Sequence, residues 1–158
     1  MKQKLDAIDR KLLELLQKSC DLPINELAAA VHLTVTPCWR RIQRLKDLGV
    51  ISQQVALVER QKVNLGVTVF VAVRTRDHDL PWLEKFRATV QAIPEIVEVY
   101  RMSGDVDYLL RVVVPDIAAY DQVYKQLIRQ VPLSDVSSSF AMEELKYTTA
   151  VPLNYAAG

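Results

Sequence analysis

The chain has 158 residues, half of them hydrophobic, and a formal net charge of +1. This length suffices for one ordinary domain or two small ones, and so large a hydrophobic share supports packed cores rather than intrinsic disorder. No apolar run approaches the roughly 20 residues that a membrane-spanning helix needs. Because the first residues also lack the apolar segment of a secretory signal peptide, we expect a cytoplasmic protein.

Charge distribution and cysteine spacing indicate which kind of protein this is. Residues 1–60 carry ten Lys/Arg and seven Asp/Glu, whereas residues 61–158 carry ten and twelve. A mildly basic first part joined to a mildly acidic remainder fits a nucleic-acid-binding module attached to a second domain. Cys20 and Cys38 lack CxxC spacing, so we expect neither a disulfide framework nor a metal site.

Apolar spacing predicts three helices in the first part of the chain. The first covers residues 5–18, the second is short and covers residues 24–31, and the third extends from residue 34 to just before Gly49. Thr34 or Thr36 can cap the third helix, with Pro37 at its first helical position and glycine after its last turn. A short helix, a tight turn and a longer helix predict a helix-turn-helix, whose second helix enters the DNA major groove.

The third helix has two unlike faces. Arg40, Arg41 and Arg44 fall on one side with Pro37, and the apolar residues fall on another. Guanidinium groups pair with phosphate oxygens or guanine, although a basic face can also be merely solvated. Trp39 lies at the edge of the apolar side and can alternatively pack against the first helix. The candidate DNA contacts are Thr34, Thr36, Pro37, Trp39, Arg40, Arg41, Gln43, Arg44 and Lys46.

A domain boundary is predicted after the helices. Residues 50–58 alternate in hydrophobicity and include several β-branched side chains. This pattern predicts a strand that forms a wing-like ribbon or leads into the next domain. We therefore assign residues 1–60 to a DNA-binding domain with a linker strand, and residues 61–158 to a second domain.

The second domain has the pattern β-α-β-β-α-β. Strands are predicted over residues 67–75, 96–102, 108–114 and 136–147, and helices over residues 81–92 and 116–131. This order matches the ferredoxin-like fold. Because such a sheet carries helices on one face only, its other face must be buried, and pairing with a second copy would bury it.

Four segments carry a family resemblance: LDAIDRKLLELL, LTVTPCWRRIQRLKDLGVI, SGDVDYLL and SSSFAMEELKYTT. Together they resemble the Lrp/AsnC family, the feast/famine transcription regulators, and TPCWRRI with SSFAMEELKYTT resembles its branch linked to cysteine or other sulfur amino acids. The resemblance implies an α+β protein with an N-terminal winged helix-turn-helix and a C-terminal ferredoxin-like domain. It also implies a homodimer that assembles to a tetramer or octamer.

The resemblance further implies a small amino-acid effector, bound non-covalently between dimers near the glycine-containing hairpin. We expect no other cofactor and no metal. Glycine lets backbone N–H groups approach a carboxylate, and nearby carboxylate and hydroxyl groups can complete such a site. The alternative is that Gly104 and Asp105 only form a turn, that Asp107 only bonds neighbouring backbone, and that Tyr108 lies in the core. The matching positions are Met102, Ser103, Gly104, Asp105, Asp107 and Tyr108.

Two other function classes are alternatives. A DNA-compacting architectural protein with little sequence preference would use the same basic helix. An enzyme is not expected, because His32 falls in the helix-turn-helix turn and His78 in a polar loop. No nucleophile–base pair is therefore evident. A sequence-specific, ligand-responsive DNA-binding regulator is the leading interpretation.

Overall fold

Three helices occupy the first part of the chain in the computed structural model, which describes residues 5–156. They are α1 (Ala7–Leu16), α2 (Ile24–Ala30) and α3 (Val35–Asp47). His32, in the turn between α2 and α3, adopts a left-handed φ of 56°. Gly49 follows the end of α3 with φ 69°, a conformation that costs least without a Cβ atom. The predicted helix-turn-helix is confirmed.

A local side-chain cap determines where α1 begins. The Asp6 carboxylate accepts from the Asp9 N–H at 2.8 Å, and the Asp9 carboxylate accepts from the Asp6 N–H at 3.2 Å. This reciprocal capping box starts α1. At α3 the prediction was inexact, because Thr34 holds the cap position without a side-chain bond and Pro37 is the third helical residue. Proline is tolerated there, since the first-turn N–H groups have no intrahelical acceptor.

A four-stranded antiparallel sheet with two helices follows. The sheet order is β2-β3-β1-β4, which confirms the ferredoxin-like prediction. Asp79 and Asp116 cap the two helices, since each carboxylate accepts a first-turn N–H at 2.8 Å. The elements are β1 (Val67–Arg74), α4 (Leu80–Ala92), β2 (Ile96–Arg101), β3 (Tyr108–Val114), α5 (Ile117–Gln130) and β4 (Asp135–Phe140).

The sheet is covered on one face. Val69, Val71 and Val73 are buried on that face and pack with Phe86 of α4 and Leu127 of α5. Strand residues alternate between faces, so Phe70, which is 40% exposed, lies on the opposite face. The predicted one-sided arrangement of helices is confirmed.

Two predicted strands differ from the structure. Residues 50–58 form no strand, and residues 52–59 are exposed. Their β propensity is insufficient, because a strand needs a neighbour with which to form a ladder. The last strand ends at Phe140 rather than at residue 147. Its partner begins at Val67, and their pairing stops at the pair of Val69 with Phe140.

The C-terminal residues belong to the helices rather than to the sheet. The chain divides into a helical unit, Met1–Leu57 with Leu145–Gly158, and a sheet unit, Val58–Glu144. This division differs from the predicted one, which gave residues 61–158 to a single domain. We call residues 145–156 the tail. Nothing in the alternation of this segment indicated that it would return to the helices.

Candidate functional site

The outward face of α3 consists of Thr36, Trp39, Arg40 and Gln43, which recur at helical spacing. Thr36 and Arg40 are exposed, and Gln43 is partly exposed. Trp39 is 53% exposed, so its indole is not packed away beneath α1. Polar, cationic and aromatic side chains thus share a surface open to solvent. We call these four residues the outward face.

Arg41 and Arg44 lie on the side of α3 that meets α1. Arg41 Nη1 contacts Asp9 Oδ1 at 2.9 Å and Asp6 Oδ2 at 2.6 Å, and Arg44 Nη2 contacts Asp9 Oδ2 at 2.5 Å. Asp9 is completely buried. Each of its two carboxylate oxygens forms an ion pair with one guanidinium. We call Asp9, Arg41 and Arg44 the inter-helix clamp.

The clamp corrects one prediction from the sequence. Arg40, Arg41 and Arg44 were expected as three unpaired cations on one exposed face, but only Arg40 is without an ion pair within residues 5–156. The helical spacing of the arginines was right. Only the packing of α1 against α3 brings carboxylates to two of them.

The pair of Asp6 with Arg41, which lies beside the clamp, is sensitive to acid. The pKa of Asp6 is lowered, first by the hydrogen bond from the Asp9 N–H and then by Arg41. Asp6, followed by Asp9, raises the pKa of Arg41. Folding therefore favours the charged form of Asp6. This contribution is present above the unfolded carboxyl pKa of about 3.9, and is lost as the pH falls through the lowered value.

The other predicted DNA contacts flank the outward face. Thr34 and Pro37 are exposed near the start of α3, and Lys46 is partly exposed in its last turn. Lys46 forms no ion pair with a residue that the structure describes. Arg40 and Lys46 are thus the cations of α3 whose charge is not matched by a neighbouring carboxylate.

The predicted effector hairpin joins β2 to β3. Its residues Met102, Ser103, Gly104 and Asp105 are exposed. Gly104 adopts φ 122°, which L side chains rarely adopt. Arg74 Nε donates to the Asp105 carbonyl oxygen at 2.6 Å. Arg74, the last residue of β1, therefore holds the exposed hairpin through its backbone at Asp105.

Asp107 and Tyr108 serve the fold. Asp107 Oδ2 accepts from the Thr75 N–H at 2.9 Å, and the Tyr108 ring is 7% exposed, 4.6 Å from that of Phe86. These contacts match the alternative stated for both residues. Their role as effector contacts stays a prediction, and Tyr108 also lines a cleft between α4 and β2.

A cleft of about 470 Å³ lies beside the hairpin, between α4 and β2. Apolar side chains such as Leu83, Val90 and Val99 line it, with Arg87 and Arg101. Its size is within the range of small-molecule sites. Apolar spacing does not predict this cleft, although its lining residues all lie between positions 83 and 108. The space depends on how α4 packs against β2, which the pattern along the chain does not specify. The one available signal was Arg101, which directly precedes the hairpin.

Two family models match the two parts of the chain. Residues 5–52 match a winged helix-turn-helix DNA-binding domain, and residues 68–151 match the Lrp/AsnC ligand binding domain. The chain belongs to the Lrp/AsnC family of transcription regulators. It combines a DNA-binding module with a ligand-binding domain, as the resemblance had implied.

Individual relatives agree with this assignment. The chain is 51% identical to the DNA-binding transcriptional activator DecR of Escherichia coli K12, over 94% of this chain and 99% of DecR. It is also similar to the crystal structure of an AsnC family transcriptional regulator from Agrobacterium tumefaciens, with 56% identity, a TM-score of 0.93, and 96% and 99% of the two chains covered. These relatives are named as transcription regulators, not as enzymes.

A third relative was solved with a ligand. It is a transcriptional regulator from Neisseria meningitidis in complex with L-Met, at 36% identity and a TM-score of 0.91, with 96% of this chain and 98% of that chain covered.

Within residues 5–156, no group of three or more His, Cys, Asp and Glu side chains could hold a metal ion. No helix in that range is long and apolar enough to cross a membrane.

Proposed function

We propose that this chain is a cytoplasmic transcription regulator that reads its operator through the outward face of α3. The observation that carries this proposal is the exposed stripe of Thr36, Trp39, Arg40 and Gln43 on the second helix of the helix-turn-helix. Arg40 and Lys46 would bind phosphates, and Thr36 and Gln43 offer hydrogen bonds to bases or phosphates. Arg41 and Arg44 would act mainly by holding α3 on α1.

We further propose that the effector is a small amino acid with an apolar or sulfur-containing side chain, bound non-covalently and without another cofactor. Support comes from the L-Met complex of the relative from Neisseria meningitidis. The exposed backbone around Gly104 can receive a carboxylate. The adjoining cleft offers an apolar wall that includes Leu83 and Val99.

Footprinting of the upstream region of the chain's own gene, with and without excess random duplex, tests this function. We expect a protected site that survives the competitor, because base contacts add to the phosphate contacts. Addition of L-methionine should change the extent of protection, and D-methionine serves as the matched control. Loss of all protection in the competitor would instead favour a DNA-compacting protein, and identical footprints with every L-amino acid would contradict the effector proposal.

The assembly proposed is a homodimer through the uncovered sheet face, with further association to a tetramer or octamer. Phe70 and Tyr100 are exposed on this face, and Leu109, paired with Ala72, is only partly covered. Such an apolar sheet face is stabilised when a second copy covers it.

Phe70→Asp should therefore convert the assembly into monomers, because the new carboxylate would lose its hydration in the interface. Light scattering coupled to size-exclusion chromatography measures the mass. Gln122→Asp, which adds the same charge on the exposed side of α5, is the control and should keep the wild-type mass. An unchanged mass for Phe70→Asp would place the interface elsewhere.

A further inference from the structure

The tail is held on the helical unit by specific bonds. Gln17, just after α1, donates from Nε2 to the Val151 carbonyl at 3.2 Å and accepts from the Val151 N–H at 2.7 Å through Oε1. This two-way bond satisfies the peptide groups of the tail much as a sheet partner would. Arg10 Nη1 also reaches the Ala156 carbonyl, at 3.4 Å.

Leu153 gives the tail an apolar anchor. It begins a short 3-10 turn, Leu153–Tyr155, and packs with Leu5, Leu13 and Leu45. Leu45 belongs to α3 and is completely buried. The tail therefore touches the rear of the helix whose other side is the outward face.

These contacts add a second support for α3. The clamp fixes α3 to α1 through Asp9, and Leu153 closes the small apolar cluster beneath Leu45. Residues 152–158 lie beyond both family-model matches, so neither match gives this segment a role. A helix that presents side chains to DNA needs a fixed orientation, because direct base contacts depend on distance and angle.

We infer that Leu153 is a positioning residue for DNA binding, which sets the orientation of α3 from behind through Leu45. The tail is a working part of the DNA-binding module, although it is contributed by the far end of the chain. This role does not depend on the effector, so it can be tested without one.

The test compares three full-length variants on one operator duplex by fluorescence anisotropy at several salt concentrations. Leu153→Asp should bind about tenfold more weakly. Its plot of log affinity against log salt should be shallower by about one, because a misoriented helix forms fewer phosphate contacts. Leu153→Met should restore wild-type binding, since it refills the cluster. Tyr155→Asp adds the same charge two residues away, on a side chain that is 82% exposed, and should bind like wild type.

Wild-type affinity and salt slope for Leu153→Asp would overturn the inference, and so would an equal loss for Tyr155→Asp. Circular dichroism of each variant shows whether the helices are retained. If Leu153→Asp unfolds the helical unit, Leu153→Ala is measured by amide hydrogen exchange. Faster exchange in α3 with retained helicity and weakened DNA binding would support a positioning role, whereas unchanged exchange and binding would refute it.

Discussion

Asp9→Ala should destabilise the helical unit by about 3 kcal/mol, since removal of one partner from a buried ion pair leaves charge uncompensated. The value is at the low end of the usual range because Arg44 keeps about half of its side-chain exposure. Without the carboxylate, the guanidiniums of Arg41 and Arg44 would repel one another beside α1. The same change removes the capping-box bond from Asp6 N–H to Asp9.

Amide hydrogen exchange of α1 and α3 measures this loss locally, so the stability of the sheet unit does not obscure it. Glu14→Ala is the matched control on the same helix. Its pair with Lys11 is solvent-exposed, and such pairs contribute about 0–1 kcal/mol. Equal exchange rates in Asp9→Ala and Glu14→Ala would show that the clamp contributes nothing to stability.

Arg40→Ala and Arg41→Ala should separate DNA contact from structural support. Arg40 is exposed and its loss should change stability by no more than about 0.5 kcal/mol. Its operator affinity should nevertheless fall several-fold, with a salt slope reduced by about one, because one phosphate contact is lost. Arg41→Ala should instead lower stability first, because buried Asp9 would keep only Arg44.

Anisotropy titrations give the affinities, and urea unfolding gives the stabilities. Arg129→Ala removes one exposed cation from α5, and it controls for net charge. If Arg40→Ala binds the operator like wild type, the outward face is assigned incorrectly. If Arg41→Ala loses DNA binding at full stability, its guanidinium contacts DNA directly.

The capping residues and the apolar periodicity were enough to predict most of the elements. Asp116 and Gly49, for example, act through bonds and dihedral angles within a few residues of themselves. Local signals failed where the partner was distant. Residues 50–58 have strand propensity but no ladder, and the last strand ends at Phe140, where its pairing with β1 stops.

The sequence by itself determined the two-part organisation, the helix-turn-helix, the ferredoxin-like order and the family. All of these follow from spacing along the chain and from short-range chemistry. Only the tertiary structure decided which arginines are free, because Asp9 lies 32 residues before Arg41. It likewise decided that Asp107 and Tyr108 support the fold, and that Leu153 lies behind α3. Ion pairing and burial depend on which residues are neighbours in three dimensions. A helical pattern specifies the face on which a residue lies, but it does not specify which residues pack against that face.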